Sequence, residues 1–221
     1  MAITHTEERF ILCEGMSDKV FFCELINNRG LQGFQIGFPY GANETTGGIT
    51  MFERFLSTGD VNPSFNVVKS ILVVADNDNN PANNFAQVTQ QIANAGYGVP
   101  QNELEFVTSP NSLPSIAVMM LPLNQQIGNL ETVCKISAYD KWSDLVPSLN
   151  TYFNASDAPN WTVGHQDKML LQCLLAATCK PNPYCTISSL YRENAQYHIP
   201  LNHPCFDDIA QFLTDWDTLL P

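Results

Sequence analysis

Two stretches of the chain are apolar without interruption and then stop at acids. Arg9-Phe10-Ile11-Leu12-Cys13 runs into Glu14-Gly15-Met16-Ser17-Asp18, and Ser70-Ile71-Leu72-Val73-Val74-Ala75 runs into Asp76-Asn77-Asp78. Runs of this kind predict parallel strands buried on both faces, since burial on one face only would leave alternate positions polar. The spacing between and after them predicts a helix over 16–28 with a stop at Gly30, a short strand near Gln35–Phe38 and a helical segment from Ile49 to Leu56. A further helix enters at Pro81, is carried by Phe85, Val88 and Ile92, and stops at Gly96. Glu103–Thr108 and Ile116–Leu121 read as two more strands. The alternation predicts an α/β fold, a mostly parallel sheet of three or four strands flanked by helices and joined by right-handed crossovers.

Beyond Leu121 the pattern turns helical, with helices expected over Asn129–Ile136, Gln166–Cys179 and Phe206–Leu220, and an ordered loop over Lys180–Pro204. The organisation expected is an α/β core over residues 1–125 and a helical C-terminal extension over 126–221, packed on the same domain.

Composition narrows the class. With 221 residues, 44% of them hydrophobic, the chain suffices for one good core. The longest apolar run, Ser115 to Leu121, is too short for a bilayer, and the first residues lack a basic stretch leading into an apolar one. The expectation is a soluble, cytoplasmic protein with no membrane partner. Seven cysteines, several inside predicted elements (Cys13, Cys23, Cys134, Cys173), read as small buried hydrophobes in a reducing compartment. The formal charge of -12, from 10 Lys plus Arg against 22 Asp plus Glu, tells against a broad basic face for nucleic acid. A phosphate-bearing substrate must then be drawn in locally, or with the help of a basic protein partner.

The acidic strand ends carry the candidate chemistry, because open α/β sheets place ligands at the carboxyl ends of their strands. Carboxylates converging there repel unless a cation lies between them, and all-oxygen ligands suit Mg²⁺ or Mn²⁺. Metal-assisted phosphoryl chemistry is the expectation. The simpler alternative is that Asp76-Asn77-Asp78 caps the following helix. An EF-hand loop from Asp76 is excluded by Pro81 and Gln87, where Gly and Glu are required. A haloacid-dehalogenase-type phosphatase is excluded by Asn80, and a phospho-receiver by the reversed order of its single and paired acids. In the tail, Cys173, Cys179, Cys185, His198, His203 and Cys205 form no Cys-x-x-Cys knuckle of the kind a zinc site uses. His165 reads as a lone surface histidine beside Lys168. Gly41–Gly48 lacks the Gly-Lys-Ser/Thr of a P-loop and reads as a turn bordering the site.

A Glu-Gly after a first hydrophobic strand, followed by a helix, with Asp-x-Asp after a later hydrophobic strand, resembles the Toprim domain of topoisomerases, bacterial primases, recombination proteins and OLD-type nucleases. The resemblance covers residues 9–108, and Glu14-Gly15-x-x-Asp18 is most similar to the OLD-type nuclease branch. Met120-Leu121-Pro122-x-Asn124-Gln125-x-x-Gly128-x-Leu130-Glu131 and Asp167-Lys168-x-x-x-x-x-Leu174 are similar to a small Toprim-related family of unknown function. The resemblance implies a compact Toprim-like (Rossmann-like) sheet and a Mg²⁺- or Mn²⁺-dependent phosphodiester hydrolase acting on nucleic acid. It implies Glu14 as metal ligand and general acid/base, Asp76 and Asp78 as metal ligands, Asp18 and Glu131 as supporting ligands, and Lys168 as the group that stabilises charge. The alternative expectation is a non-catalytic metal- or nucleotide-binding module acting through partner proteins, which the acidic charge suits. The residues themselves leave Glu131 open as a first-turn acid favoured by the helix dipole, and Lys168 as an exposed lysine of an amphipathic helix.

Overall fold

The two apolar runs lie side by side. In a computed structural model, which describes residues 5–39, 48–59, 63–192 and 198–221, β1 (Arg9–Cys13) and β3 (Ser70–Asp76) pair in parallel with Cys13 opposite Val74. β2 (Phe34–Gly37) adds to the outer side of β1 and β4 (Ser115–Leu121) to β3, all parallel, in the order β2-β1-β3-β4. Seven α-helices accompany them among the described residues: α1 (Met16–Asn28), α2 (Phe52–Gly59), α3 (Pro81–Asn94), α4 (Leu130–Lys141), α5 (Val146–Ala155), α6 (Val163–Thr178) and α7 (Asp207–Leu219). The chain has an α/β fold, closed by a C-terminal helix.

Successive strand residues point to opposite faces, so each continuous apolar run is divided between two cores. Ile11, Leu72, Val74, Ala117 and Met119 pack on one face with Phe21 and Leu25 of α1, Leu130 of α4, Leu171 of α6 and Leu213 of α7. Phe10, Leu12, Ile71, Val73, Val118 and Met120 pack on the other with Phe52 and Leu56 of α2 and Val88 and Ile92 of α3. Helices from the carboxyl-terminal half therefore share a core with the sheet.

The amino ends of the strands are sealed by the last helix. The Trp216 indole N–H donates to Ser70 Oγ at 2.7 Å, with both residues buried. Arg9 donates to the Gly33 carbonyl at 3.2 Å, faces Asp217 at 3.6 Å and lies over the Phe34 ring.

Several expectations from sequence need correction. Glu103–Thr108 is not a strand: Leu104 takes φ +63° and breaks the extended course, leaving only an antiparallel bridge from Val107 to Ile116. Phe106 is buried without a ladder, packing against the Phe212 and Trp216 rings. Ile49–Leu56 begins as a 3-10 turn, Ile49–Met51, and becomes α-helical only at Phe52. α4 extends to Lys141, five residues past the expected Ile136. α5 was not expected. Only Leu149 of α5 is buried, so it carries little apolar periodicity, and Pro147 in its first turn was the available signal. Among its described residues, the expected loop 180–204 holds a 3-10 turn, Ile187–Tyr191, and ends where another begins, Pro204–Phe206; buried Leu190, Tyr191, Ile199 and Leu201 anchor it. Of the expected Gly41–Gly48 turn only Gly48 falls within the described residues. Among the described residues, no helix is long and apolar enough to cross a membrane.

Candidate metal and phosphate site

Pairing of β1 with β3 puts the two acidic strand ends at one edge. Glu14 follows β1 directly, and its Oε2 accepts the Asp76 N–H at 3.3 Å. Its carbonyl accepts the Gly48 N–H at 3.0 Å, so the end of the glycine-rich stretch touches the site. Asp18, in the first turn of α1, accepts the Gly15 N–H at 2.9 Å, which turns its carboxylate back towards the strand end. Asp76 closes β3, and its Oδ1 accepts the Leu130 N–H at 3.0 Å, one of the unpaired donors at the start of α4.

Asp78 lies beyond the strand in left-handed backbone, φ +47°, exposed, with its carbonyl accepting the Gly128 N–H at 2.8 Å. Asn77, between the two acids, is buried and donates to the Pro122 carbonyl at 2.6 Å. The capping alternative does not describe this pair: α3 is capped by Asn80, which accepts the Asn83 N–H. Asp76 does serve a helix start, but that of α4, which is remote in sequence.

α4 and α6 supply the rest. Asn129 caps α4, and Glu131 follows in its first turn with 6% exposure. α6 comes close because Gly164 has no side chain: a Cβ there would stand 2.6 Å from Asn129 Nδ2. One turn on, Lys168 Nζ lies 3.8 Å from Glu131 Oε2. Behind this pair, Lys135 of α4 is bonded to the buried Asp167 of α6. Lys135 was missed from sequence, although Glu131-x-x-x-Lys135 has the spacing of neighbours on a helix face.

The electrostatics show that these groups sense one another. Burial raises the carboxyls of Glu14, Asp18, Asp76 and Glu131. Mutual repulsion adds to this. Asp18 is pushed up to about 7 by burial and then by Glu131 and Glu14, and Asp76 rises well above the usual range through burial, Asp18, Glu14 and Glu131. Asp78 adds to the repulsion on Glu14 and Glu131. Burial pulls the Lys168 ammonium down, but Glu131, Asp76, Asp18 and Asp78 together outweigh it and raise it. All six residues singled out from the sequence thus share one edge of the sheet.

Oxygen-donor side chains such as Glu14, Asp18, Asp76 and Glu131, whose ionisation is suppressed, are of the kind that takes a hard divalent cation. As placed, Glu14, Asp18 and Asp76 each spend an oxygen on a backbone N–H. Among the described residues, no three His, Cys, Asp or Glu side chains are gathered closely enough to hold an ion. The donor types are those that Mg²⁺ or Mn²⁺ takes, but as placed they are not gathered into a site for either ion.

The chain belongs to the DUF3226 family, a family of proteins of unknown function, whose model matches residues 8–215 and so includes every residue of this site. Comparison with curated proteins and with solved structures gave no match.

Proposed function

We propose that the protein is a divalent-metal-dependent phosphodiester hydrolase of Toprim type, acting on nucleic acid. The observation that carries this reading is the meeting of Glu14, Asp18, Asp76, Asp78 and Glu131 with Lys168 at the carboxyl edge of the parallel sheet. Bound Mg²⁺ or Mn²⁺ supplies positive charge for the phosphate and makes water more acidic. Asp76 and Asp78 hold the ion, supported by Asp18 and Glu131. Glu14 assists as a ligand and takes the proton of the attacking water, a role its raised carboxyl suits. Water oxygen bonds to phosphorus as the ester P–O bond breaks, and the departing oxygen takes a proton from solvent water, while Glu14 later gives its own proton back to solvent. Lys168, cationic beside Glu131, stabilises the charge that builds on the phosphoryl oxygens.

The test is hydrolysis of generic single- and double-stranded nucleic acid in Mg²⁺ or Mn²⁺. Turnover is expected in the native protein and is lost in Asp76→Asn. Lys168→Ala costs on the order of 10²-fold in turnover with little change in stability. Turnover in Lys168→Ala equal to that of the native protein removes the lysine from the mechanism. A second reading, a non-catalytic metal- or nucleotide-binding module working through partners, is favoured by the net charge of -12 and by the carboxylates committed to backbone N–H groups. Metal binding without turnover selects it.

A further inference from the structure

Lys168 belongs to two features at once. Besides facing Glu131, it lines an open groove of about 550 Å³, together with Trp161, His165, Met169, Gln172 and Ile187. That volume lies in the range of small-ligand sites. None of the lining residues is acidic, although the chain carries a net charge of -12. Trp161 is 45% exposed. Its backbone is nonetheless fixed: its N–H donates to the Ala158 carbonyl at 2.9 Å, and its carbonyl accepts the Gln166 amide at 2.8 Å. An indole on a braced backbone, beside a lysine and a histidine, offers a flat apolar face next to positive charge.

We propose that this groove binds single-stranded nucleic acid, with one unstacked base lying on Trp161 and the adjoining phosphate held by Lys168 at the edge of the acid cluster. The proposal rests on the hydrolase reading only for where that phosphate goes. Stacking on an aromatic side chain requires a base whose face is free, which single strands offer and a duplex does not. Duplex binding through the backbone needs a broad basic surface, and 10 Lys plus Arg against 22 Asp plus Glu do not supply one. A single lysine and a stacking surface match the smaller footprint of one or two unpaired nucleotides. Met169 and Ile187 supply the apolar part of the lining, and the Gln172 amide is held in place by donating to the Cys185 carbonyl at 3.2 Å.

The test is a binding titration of the full chain carrying Asp76→Asn and Asp78→Asn, in which repulsion from the cluster is relieved and the proposed hydrolysis is blocked. A fluorescein-labelled oligothymidylate and a duplex of equal length are compared by anisotropy at low salt. The single strand is expected to bind more tightly than the duplex. Adding Trp161→Ala weakens it about tenfold, and Trp161→Phe restores most of the loss. In a second measurement, unlabelled oligonucleotide quenches the protein's tryptophan emission, and Trp161→Phe removes that quenching. Equal affinity for duplex and single strand, no binding at all, or an unchanged affinity in Trp161→Ala overturns the groove. Trp161-dependent binding by a protein that hydrolyses nothing keeps the groove and removes the hydrolase reading. Turnover in Trp161→Ala with unchanged KM does the reverse.

Discussion

At the amino ends of the strands, every polar group described above has a partner: Trp216 bonds to Ser70, and Arg9 bonds to the Gly33 carbonyl, faces Asp217 and lies over Phe34. At the carboxyl ends of the same strands, the buried Glu14, Asp18, Asp76 and Glu131 have raised carboxyls, and Glu131, Asp76, Asp18 and the exposed Asp78 raise the Lys168 ammonium. The amino end adds stability through burial and satisfied hydrogen bonds. The carboxyl end costs stability, because burial and repulsion both disfavour the ionised acids. Identical strands feed both ends, so the difference lies in what the connecting segments bring. A sheet whose amino end is firmly sealed tolerates a strained carboxyl end, which is where ligand chemistry is done.

The largest expected effect breaks the sealed end. Trp216→Ala removes a fully buried indole and leaves buried Ser70 without its donor, costing about 3–5 kcal/mol in chemical denaturation. A loss well under that range means that α7 is not the seal described here.

Relief of the acidic end comes next. Mg²⁺ or Mn²⁺ at about 100 times its Kd should stabilise the native protein by about 2.7 kcal/mol, read as a rise in Tm. The Asp76→Asn/Asp78→Asn double variant should lose that rise, yet match or exceed the native protein in stability when no metal is present. A full rise in the double variant places the ion elsewhere.

The smallest effect sharpens the comparison through pH. Asp18 has its carboxyl raised from 3.8 to about 7, so its ionised form destabilises the folded state. That cost is absent below about pH 4, where the acid is protonated in both states, grows as pH rises towards 7, and is complete above it. Asp18→Asn keeps an acceptor for the Gly15 N–H and should stabilise the metal-free protein by about 1 kcal/mol at pH 8, after allowance for solvent screening. The advantage should vanish by about pH 4. An advantage independent of pH points to packing and not to charge.

The two buried strands, the helices after them and the acids at their ends are legible in the chain because apolar runs, caps and carboxylates are local signals. Glu14, Asp76 and Asp78 follow from those signals alone, being within a few residues of their strands, whereas Asp18, though as near, is a ligand only by resemblance. Glu131 and Lys168 were named from resemblance, and only the packing of α6 on Asn129 through Gly164 brings them to the same edge. Lys135, α5 and the groove beside Trp161 escaped notice because each depends on what packs against it from distant sequence.

Local sequence determined the parallel strands and their acidic ends, since a continuous apolar run is satisfied only by burial on both faces. Tertiary structure decided that the ends adjoin, that Asp76 serves the start of α4, and that Glu103–Thr108 stays out of the sheet despite its apolar side chains. The physical reason is range. Backbone preference and hydrophobic pattern act over a few residues, whereas desolvation and Coulomb repulsion depend on which segments the fold sets within a few ångströms of one another.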